Sequence, residues 1–210
     1  MIKAILFDFD GTLINTNDLI YMSHNYAFGK LYGRDITKDE FLKLYGRPLL
    51  ESLTDYYGSD GAELLEFYRE FNEKNHDLYV KSFDGVEEGI KKLKNDGFLL
   101  GIVTSKRKST LMKGLKFLGL SDYFECLITP ADSEKYKPDP EPVLVGCRKI
   151  GVFPEETVYV GDSVFDIAAG KAAGTKTCAV KYSLTPADEL ERLQPDYFVS
   201  SIKELAGLIK

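Results

Sequence analysis

The 210 residues contain no tryptophan, two histidines and three cysteines. His24 and His76 lack metal-ligand spacing and read as packed or surface side chains. Cys126, Cys147 and Cys178 are odd in number and include no two-residue-spaced pair, so buried free thiols are expected in place of a disulfide framework or a zinc site. No apolar run approaches the roughly 20 residues that a membrane-spanning helix needs. Met1 to Phe7 runs straight into Asp8, which leaves no room for a signal-peptide apolar region, and a cytoplasmic protein is expected. Basic residues are not in excess either. Lys and Arg number 27 against 33 Asp and Glu, a formal net charge of -6, which disfavours adhesion to nucleic acid or to an anionic membrane. A phosphorylated ligand must then be drawn in by local cations. Repeats and low-complexity tracts are also missing.

What is present is the balance of an ordinary globular protein, 44% apolar and 29% charged, which removes the disordered and collagen-like classes. The length suits one core domain with one insertion. Ile2 to Phe9, Phe98 to Val103, Cys126 to Ile128 and Val158 to Val160 are short, β-prone apolar runs that read as buried strands. Helical periods separate them: Ile90 and Leu93; Leu111, Leu115 and Leu118; then Val143, Leu144, Cys147 and Ile150. Asp139-Pro140 supplies a cap followed by a first-turn proline, and Gly119, Gly151 and Gly174 stand where helices should stop. Thr177 to Val180 and Tyr197 to Val199 add strands, and Ile202 to Ile209 a closing helix. This alternation predicts an α/β fold, a doubly wound and mainly parallel sheet with its ligand site at the carboxyl ends of the strands.

From about Asn17 to Val80 the alternation stops and only helical periods remain. Ile20, His24, Ala27 and Leu31 form one stripe; Leu49, Leu50, Leu53, Tyr56 and Tyr57 a second; Leu64, Tyr68 and Phe71 a third. Thr37 with Glu40 makes a capping box before Phe41 and Leu44. The segment reads as an all-helical insertion on two hinges, near Leu13 to Thr16 and Lys81 to Gly85. The predicted organisation is therefore a core of residues 1-16 and 81-210 with a helical domain at 17-80.

Four loops carry reactive groups, each just after a predicted strand. In Asp8-Phe9-Asp10-Gly11-Thr12 two carboxylates two residues apart face one cleft, with Gly11 allowing the sharp turn. One can attack phosphorus while the other protonates a leaving oxygen and later activates water. A strand-ending turn or a calcium loop would use the same residues. Thr104-Ser105 offers a hydroxyl and an N–H to phosphate oxygens, or else an N-cap. Lys137 before Pro138-Asp139-Pro140 places a cation in a stiff loop, or is simply solvated. Asp162 and Asp166 lie one helical turn apart, as metal ligand and its support, or with Asp162 as a plain cap.

Together, Asp8-Phe-Asp10-Gly-Thr, Thr104-Ser-Lys, Lys137-Pro-Asp-Pro and Gly-Asp162-Ser-x-x-Asp166 resemble the four motifs of the haloacid dehalogenase-like hydrolases over practically the whole chain. The resemblance implies a Rossmann-like core with a four-helix cap that closes over the cleft, and Mg²⁺ as cofactor. It implies Asp8 as nucleophile and metal ligand, and Asp10 as general acid then base with its carbonyl on the metal. Asp162 completes the metal ligands, and Asp166 binds the metal directly or through water. Thr104 and the Ser105 N–H hold phosphate and Lys137 steadies Asp8, while Gly11 and Thr12 join the substrate-binding set. Arg47, between Gly46 and Pro48 in an expected cap turn, is placed to contact a distal anionic group or is simply solvated. Dehalogenation is not implied, since that branch lacks an acid at the position of Asp10.

Leu13-Ile14-Asn15-Thr16-Asn17, Tyr68-Arg-Glu-Phe71-Asn72 and His76-Asp77 look most similar to the bacterial inorganic pyrophosphatase branch, close to phosphoglycolate phosphatases. A small phosphorylated substrate follows, pyrophosphate first, with its second anion met by Arg47 or Lys74. Phosphoglycolate, another small monoester or a sugar-phosphate mutase reaction are the alternatives. A phosphoacceptor signalling module uses similar groups but resembles a chain of about 120 residues without a helical insertion and with its acceptor on a later strand. A monomer or weak homodimer is expected, without nucleic-acid or membrane partners.

Overall fold

The apolar runs are short and bounded by aspartate or glycine, which confines the strands of the computed structural model to two to five residues each. It describes residues 1–209. The chain forms β1 (Ala4–Phe7) and β2 (Ile14–Asn15), then helices α1 (Asn17–Tyr32), α2 (Lys38–Leu44), α3 (Leu49–Tyr57) and α4 (Gly61–Tyr79). It continues through β3 (Lys81–Ser82), α5 (Val86–Asn95), β4 (Leu99–Val103), α6 (Lys108–Leu118), β5 (Cys126–Ile128) and α7 (Glu141–Ile150). The last elements are β6 (Thr157–Gly161), α8 (Val164–Ala173), β7 (Lys176–Val180), α9 (Ala187–Arg192), β8 (Tyr197–Val199) and α10 (Ile202–Leu208). Two compact units result, Met1–Asn15 with the chain from Ser82 onward, and Thr16–Lys81. No helix among the described residues is long and apolar enough to cross a membrane.

The first unit holds a six-stranded sheet in the order β5-β4-β1-β6-β7-β8, parallel throughout. Ala4, Ile5, Leu6 and Phe7 are all fully buried, as a central parallel strand covered on both faces requires. The predicted strand over Ile2 to Phe9 is shorter in fact, because Asp8 and Phe9 already belong to the turn that follows β1. Phe7 stands opposite Ile102 on one side and Val160 on the other. That register sets the carboxyl ends of β4, β1 and β6 side by side, at the point where the strand order reverses. Leu6, Val103, Ile128, Val143, Cys147 and Tyr159 pack a core between the sheet and α7. Gly119, Gly151 and Gly174 close α6, α7 and α8 in left-handed conformations. Helix α7 begins at Glu141, whose N–H is taken by Asp139 Oδ1 at 2.9 Å.

The second unit is helical throughout, around Ala27, Phe28, Ile36, Phe41, Leu44, Leu53, Leu64 and Leu65. Thr37 and Glu40 form the expected capping box of α2. On α1 the buried arc is Leu19, Ser23, His24, Ala27 and Phe28, which takes in His24 and Ala27 of the predicted stripe, with Ile20 and Leu31 partly buried against the same core. The predicted stripe on α3 needs correction. There Leu50 and Tyr56 are half exposed while Leu53 is fully buried; at about 100° per residue Leu50 and Tyr56 stand at the two edges of the predicted arc and Leu53 at its middle. His24 packs against Tyr68 with ring centroids 4.7 Å apart, and burial lowers its pKa to about 3, so it is neutral.

Candidate active site

The first reactive loop starts one residue beyond β1. Asp8 N–H donates to the Val160 carbonyl at 2.8 Å, so the sheet still governs the backbone of this residue. The chain then turns tightly, with Leu13 and Ile14 N–H both donating to the Phe9 carbonyl. Gly11 sits at φ +74, and a Cβ there would lie 2.3 Å from Asp162 Oδ2. Only glycine allows this turn to press against the loop after β6. The Thr12 hydroxyl is spent on the same contact, 3.4 Å from Asp162 Oδ1.

Asp166 organises the floor of the site. It is the third residue of α8 and forms a capping box with Ser163, whose N–H and hydroxyl donate to Asp166 Oδ2 at 3.0 and 2.6 Å. Its other oxygen receives the Lys137 ammonium at 2.6 Å and lies 3.1 Å from the Tyr159 hydroxyl. The helix start thereby fixes the lysine, which in turn stands 3.1 Å from Asp8 Oδ1. That contact is an ion pair without hydrogen-bond geometry, and Asp8 Oδ1 has no hydrogen bond. The expectation of a solvated Lys137 does not hold, since the side chain is 5% exposed. Nor are Thr104 and Asp162 helix caps: α6 begins after Arg107 and α8 after Ser163. Thr104 N–H pairs with Ile128, and its hydroxyl accepts the Lys106 N–H at 3.1 Å.

Charge is crowded here. Burial pushes the Asp8 carboxyl up to about 7, with the Asp166 and Asp10 carboxylates adding to the rise and Lys137 opposing it. Burial also works against the Lys137 charge, yet Asp166 and Asp8 hold its pKa well above the ordinary lysine value. Carboxylate oxygens of Asp8, Asp162 and Asp166 all lie within 4.8 Å of one another. Counting Asp10, four carboxylates face two ammonium groups, Lys137 and Lys106. An all-oxygen cluster with that imbalance and an unbonded Asp8 oxygen fits a hard divalent cation. A small recess beside it is lined by Thr104, Ser105, Thr129, Ser133, Tyr136 and Lys137.

Of the residues singled out in sequence, Asp8, Asp10, Gly11, Thr12, Thr104, Ser105, Lys137 and Asp162 belong to the loops at this end of the sheet, and Asp166 to the first turn of α8. Arg47 belongs to the helical unit, where it pairs with Asp55 at 2.8 Å and stacks on Tyr56. Three residues escaped sequence reasoning. Lys106 holds both Asp10 oxygens, at 2.8 and 3.0 Å, and its place after Thr104-Ser105 was the available signal. Tyr182 donates to the Thr12 carbonyl at 2.7 Å, and the Ser183 hydroxyl donates to the Asp162 carbonyl; both follow β7, which carries no motif.

The chain is similar over its length to known proteins. The sequence model of the family described as haloacid dehalogenase-like hydrolase matches residues 5–180. A Clostridium perfringens protein provisionally named pyrophosphatase PpaX is 43% identical over 210 residues, 100% of this chain and 98% of that one. Pyrophosphatase PpaX of Bacillus pumilus is 38% identical over 208 residues, 99% of this chain and 96% of its own. Among solved structures, a Lactobacillus plantarum protein provisionally described as a phosphoglycolate phosphatase superposes with a TM-score of 0.89, at 22% identity and covering 100% of both chains.

Proposed function

This chain belongs to the haloacid dehalogenase-like hydrolases, and from that premise we propose that it is a Mg²⁺-dependent phosphohydrolase working through an aspartyl phosphate on Asp8, with inorganic pyrophosphate as its substrate. The observation that carries the mechanism is the state of Asp8, a buried carboxylate with one oxygen unbonded and a buried lysine beside it. Asp8 attacks phosphorus as the bond to the leaving oxygen breaks, and Asp10 gives that oxygen a proton. Asp10 then takes a proton from the water that hydrolyses the acyl phosphate, which regenerates both carboxyl groups. The Thr104 hydroxyl, the Ser105 N–H and the Lys137 ammonium meet the phosphoryl oxygens, where charge is redistributed in the transition state.

Asp8, Asp162 and the Asp10 carbonyl are the groups that would hold Mg²⁺. Asp166 would act through water, since each of its oxygens already has a protein donor. The cation supplies positive charge that keeps Asp8 ionised and offsets the phosphoryl oxygens. Full-length resemblance to proteins named pyrophosphatase supports the choice of substrate, and Arg47 remains our candidate for the second anion. The test is phosphate release with Mg²⁺ from pyrophosphate, phosphoglycolate, β-glucose 1-phosphate and p-nitrophenyl phosphate, with chelator and Asp8→Asn controls. Pyrophosphate should lead in kcat/KM; a leading monoester removes the substrate, and turnover by Asp8→Asn removes the mechanism. Asp10→Asn should leave phosphate on Asp8 long enough for mass spectrometry to detect it.

A further inference from the structure

Two lysines reach the carboxylates of the site, and the scheme above uses only Lys137. Lys106 donates to Asp10 Oδ1 and Oδ2 at 2.8 and 3.0 Å, with 8% of its side chain exposed. Its own N–H is fastened to the Thr104 hydroxyl, so the base of this side chain is fixed beside the phosphate-holding group. A carboxyl group transfers a proton through an oxygen that faces the acceptor. With both oxygens covered by one ammonium, Asp10 presents no such oxygen to a leaving group.

Something must therefore draw the ammonium aside. With Lys106 8% and Asp10 23% exposed, the pair is only partly open to water. Its ammonium gives up one anion most readily for another, because charge-assisted hydrogen bonds are strong and a largely buried charge is costly to leave unpaired. The leaving group lies on the Asp10 side of phosphorus in this scheme. If it carries negative charge it offers the replacement; if neutral, it leaves Lys106 on Asp10. We propose that Lys106 is a specificity-determining residue whose ammonium passes from Asp10 to an anionic leaving group, so that an Asp10 oxygen can take up a proton from solvent and pass it to the leaving oxygen. The inference deepens the reading of Asp10 as proton donor and does not require pyrophosphate to be the substrate. It selects phosphorylated compounds with a second anion next to the scissile oxygen over uncharged compounds of equal shape.

The test compares 2-phosphoglycolate with its uncharged amide, 2-phosphoglycolamide, in the unmodified enzyme, in Lys106→Gln and in the charge-keeping Lys106→Arg. The ratio of kcat/KM for acid over amide should exceed about 10 in the unmodified enzyme, fall by about 10- to 100-fold in Lys106→Gln, and fall less than about threefold in Lys106→Arg. A ratio near one in the unmodified enzyme overturns the proposal, and that measurement needs no variant to fold. A ratio unchanged in Lys106→Gln, or lost equally in Gln and Arg, overturns it as well. Pyrophosphate assayed alongside keeps the two readings apart, since a poor pyrophosphate rate removes the substrate choice and leaves this ratio standing.

Discussion

Lys137→Met should destabilise the metal-free protein far more than an ordinary lysine substitution. The side chain is buried between Asp8 and Asp166, and Met keeps most of its apolar volume. Removing one partner of a buried ion pair costs about 3–5 kcal/mol, because the remaining charges stay in place without compensation. For a chain of this size that is roughly 6–20 °C in Tm, at about 2–4 °C per kcal/mol. The loss must also depend on pH. The Asp8 carboxyl is already raised to about 7, with Lys137 the group that opposes the rise, so its removal pushes Asp8 higher. A carboxyl whose folded pKa lies above its unfolded value binds its proton more readily when folded. The associated stability is therefore fully present in acid and lost as pH climbs through the folded pKa. Between pH 7.5 and 5.5 one such proton is worth up to about 2.7 kcal/mol in the variant against about 1.9 kcal/mol in the unmodified protein, whose Asp8 titrates near 7, so the deficit should shrink by up to about 0.8 kcal/mol at pH 5.5. Urea titrations with chelator at the two pH values measure this directly. A deficit under about 1 kcal/mol at pH 7.5, or one that grows in acid, would refute the reasoning.

Other substitutions test separate parts of the structure. Gly11→Ala should displace Asp162, which a Cβ would approach to 2.3 Å, and weaken Mg²⁺ binding by about 10- to 100-fold in calorimetry; unchanged affinity counts against the role of that turn. Arg47→Ala removes a partly exposed pair with Asp55 and should cost less than about 1 kcal/mol, while raising KM for pyrophosphate more than for p-nitrophenyl phosphate; equal effects on both would leave Arg47 without a role in binding. His24 is neutral when folded, with its pKa lowered to about 3 against 6.5. Stability should be full above pH 6.5 and fall as acid protonates the unfolded chain first, by about 2 kcal/mol at pH 5. His24→Leu should flatten that slope, and an unchanged slope assigns it elsewhere.

Much of this site is legible in the sequence because its groups are tied to strand ends. Asp8, Thr104 and Asp162 each follow an apolar run, and a parallel sheet sets those ends side by side whatever the helices do. Contacts that depend on register are another matter. That Lys106 meets Asp10 follows from Phe7 standing opposite Ile102, a pairing between segments some 95 positions apart that no local pattern encodes. Asp166 reads as a metal ligand from its spacing to Asp162, but only the folded loop reveals that Ser163, Lys137 and Tyr159 already occupy its oxygens. In the helical unit, periodicity identified the helices yet misjudged which of Leu50, Leu53 and Tyr56 turns inward, since a nine-residue helix leaves the direction of its buried face to its neighbours.

The bond from Asp8 N–H to Val160 has a consequence for motion. An amide bonded at the end of the central strand exchanges its hydrogen with solvent mainly through large-scale opening, whereas a turn such as Ser105 to Arg107 opens locally. Asp8, the proposed nucleophile, should therefore exchange its amide hydrogen more slowly than the turn that carries Lys106. On the proposed mechanism, substitutions that retune a leaving-group preference can accumulate in such turns while Asp8 keeps its place.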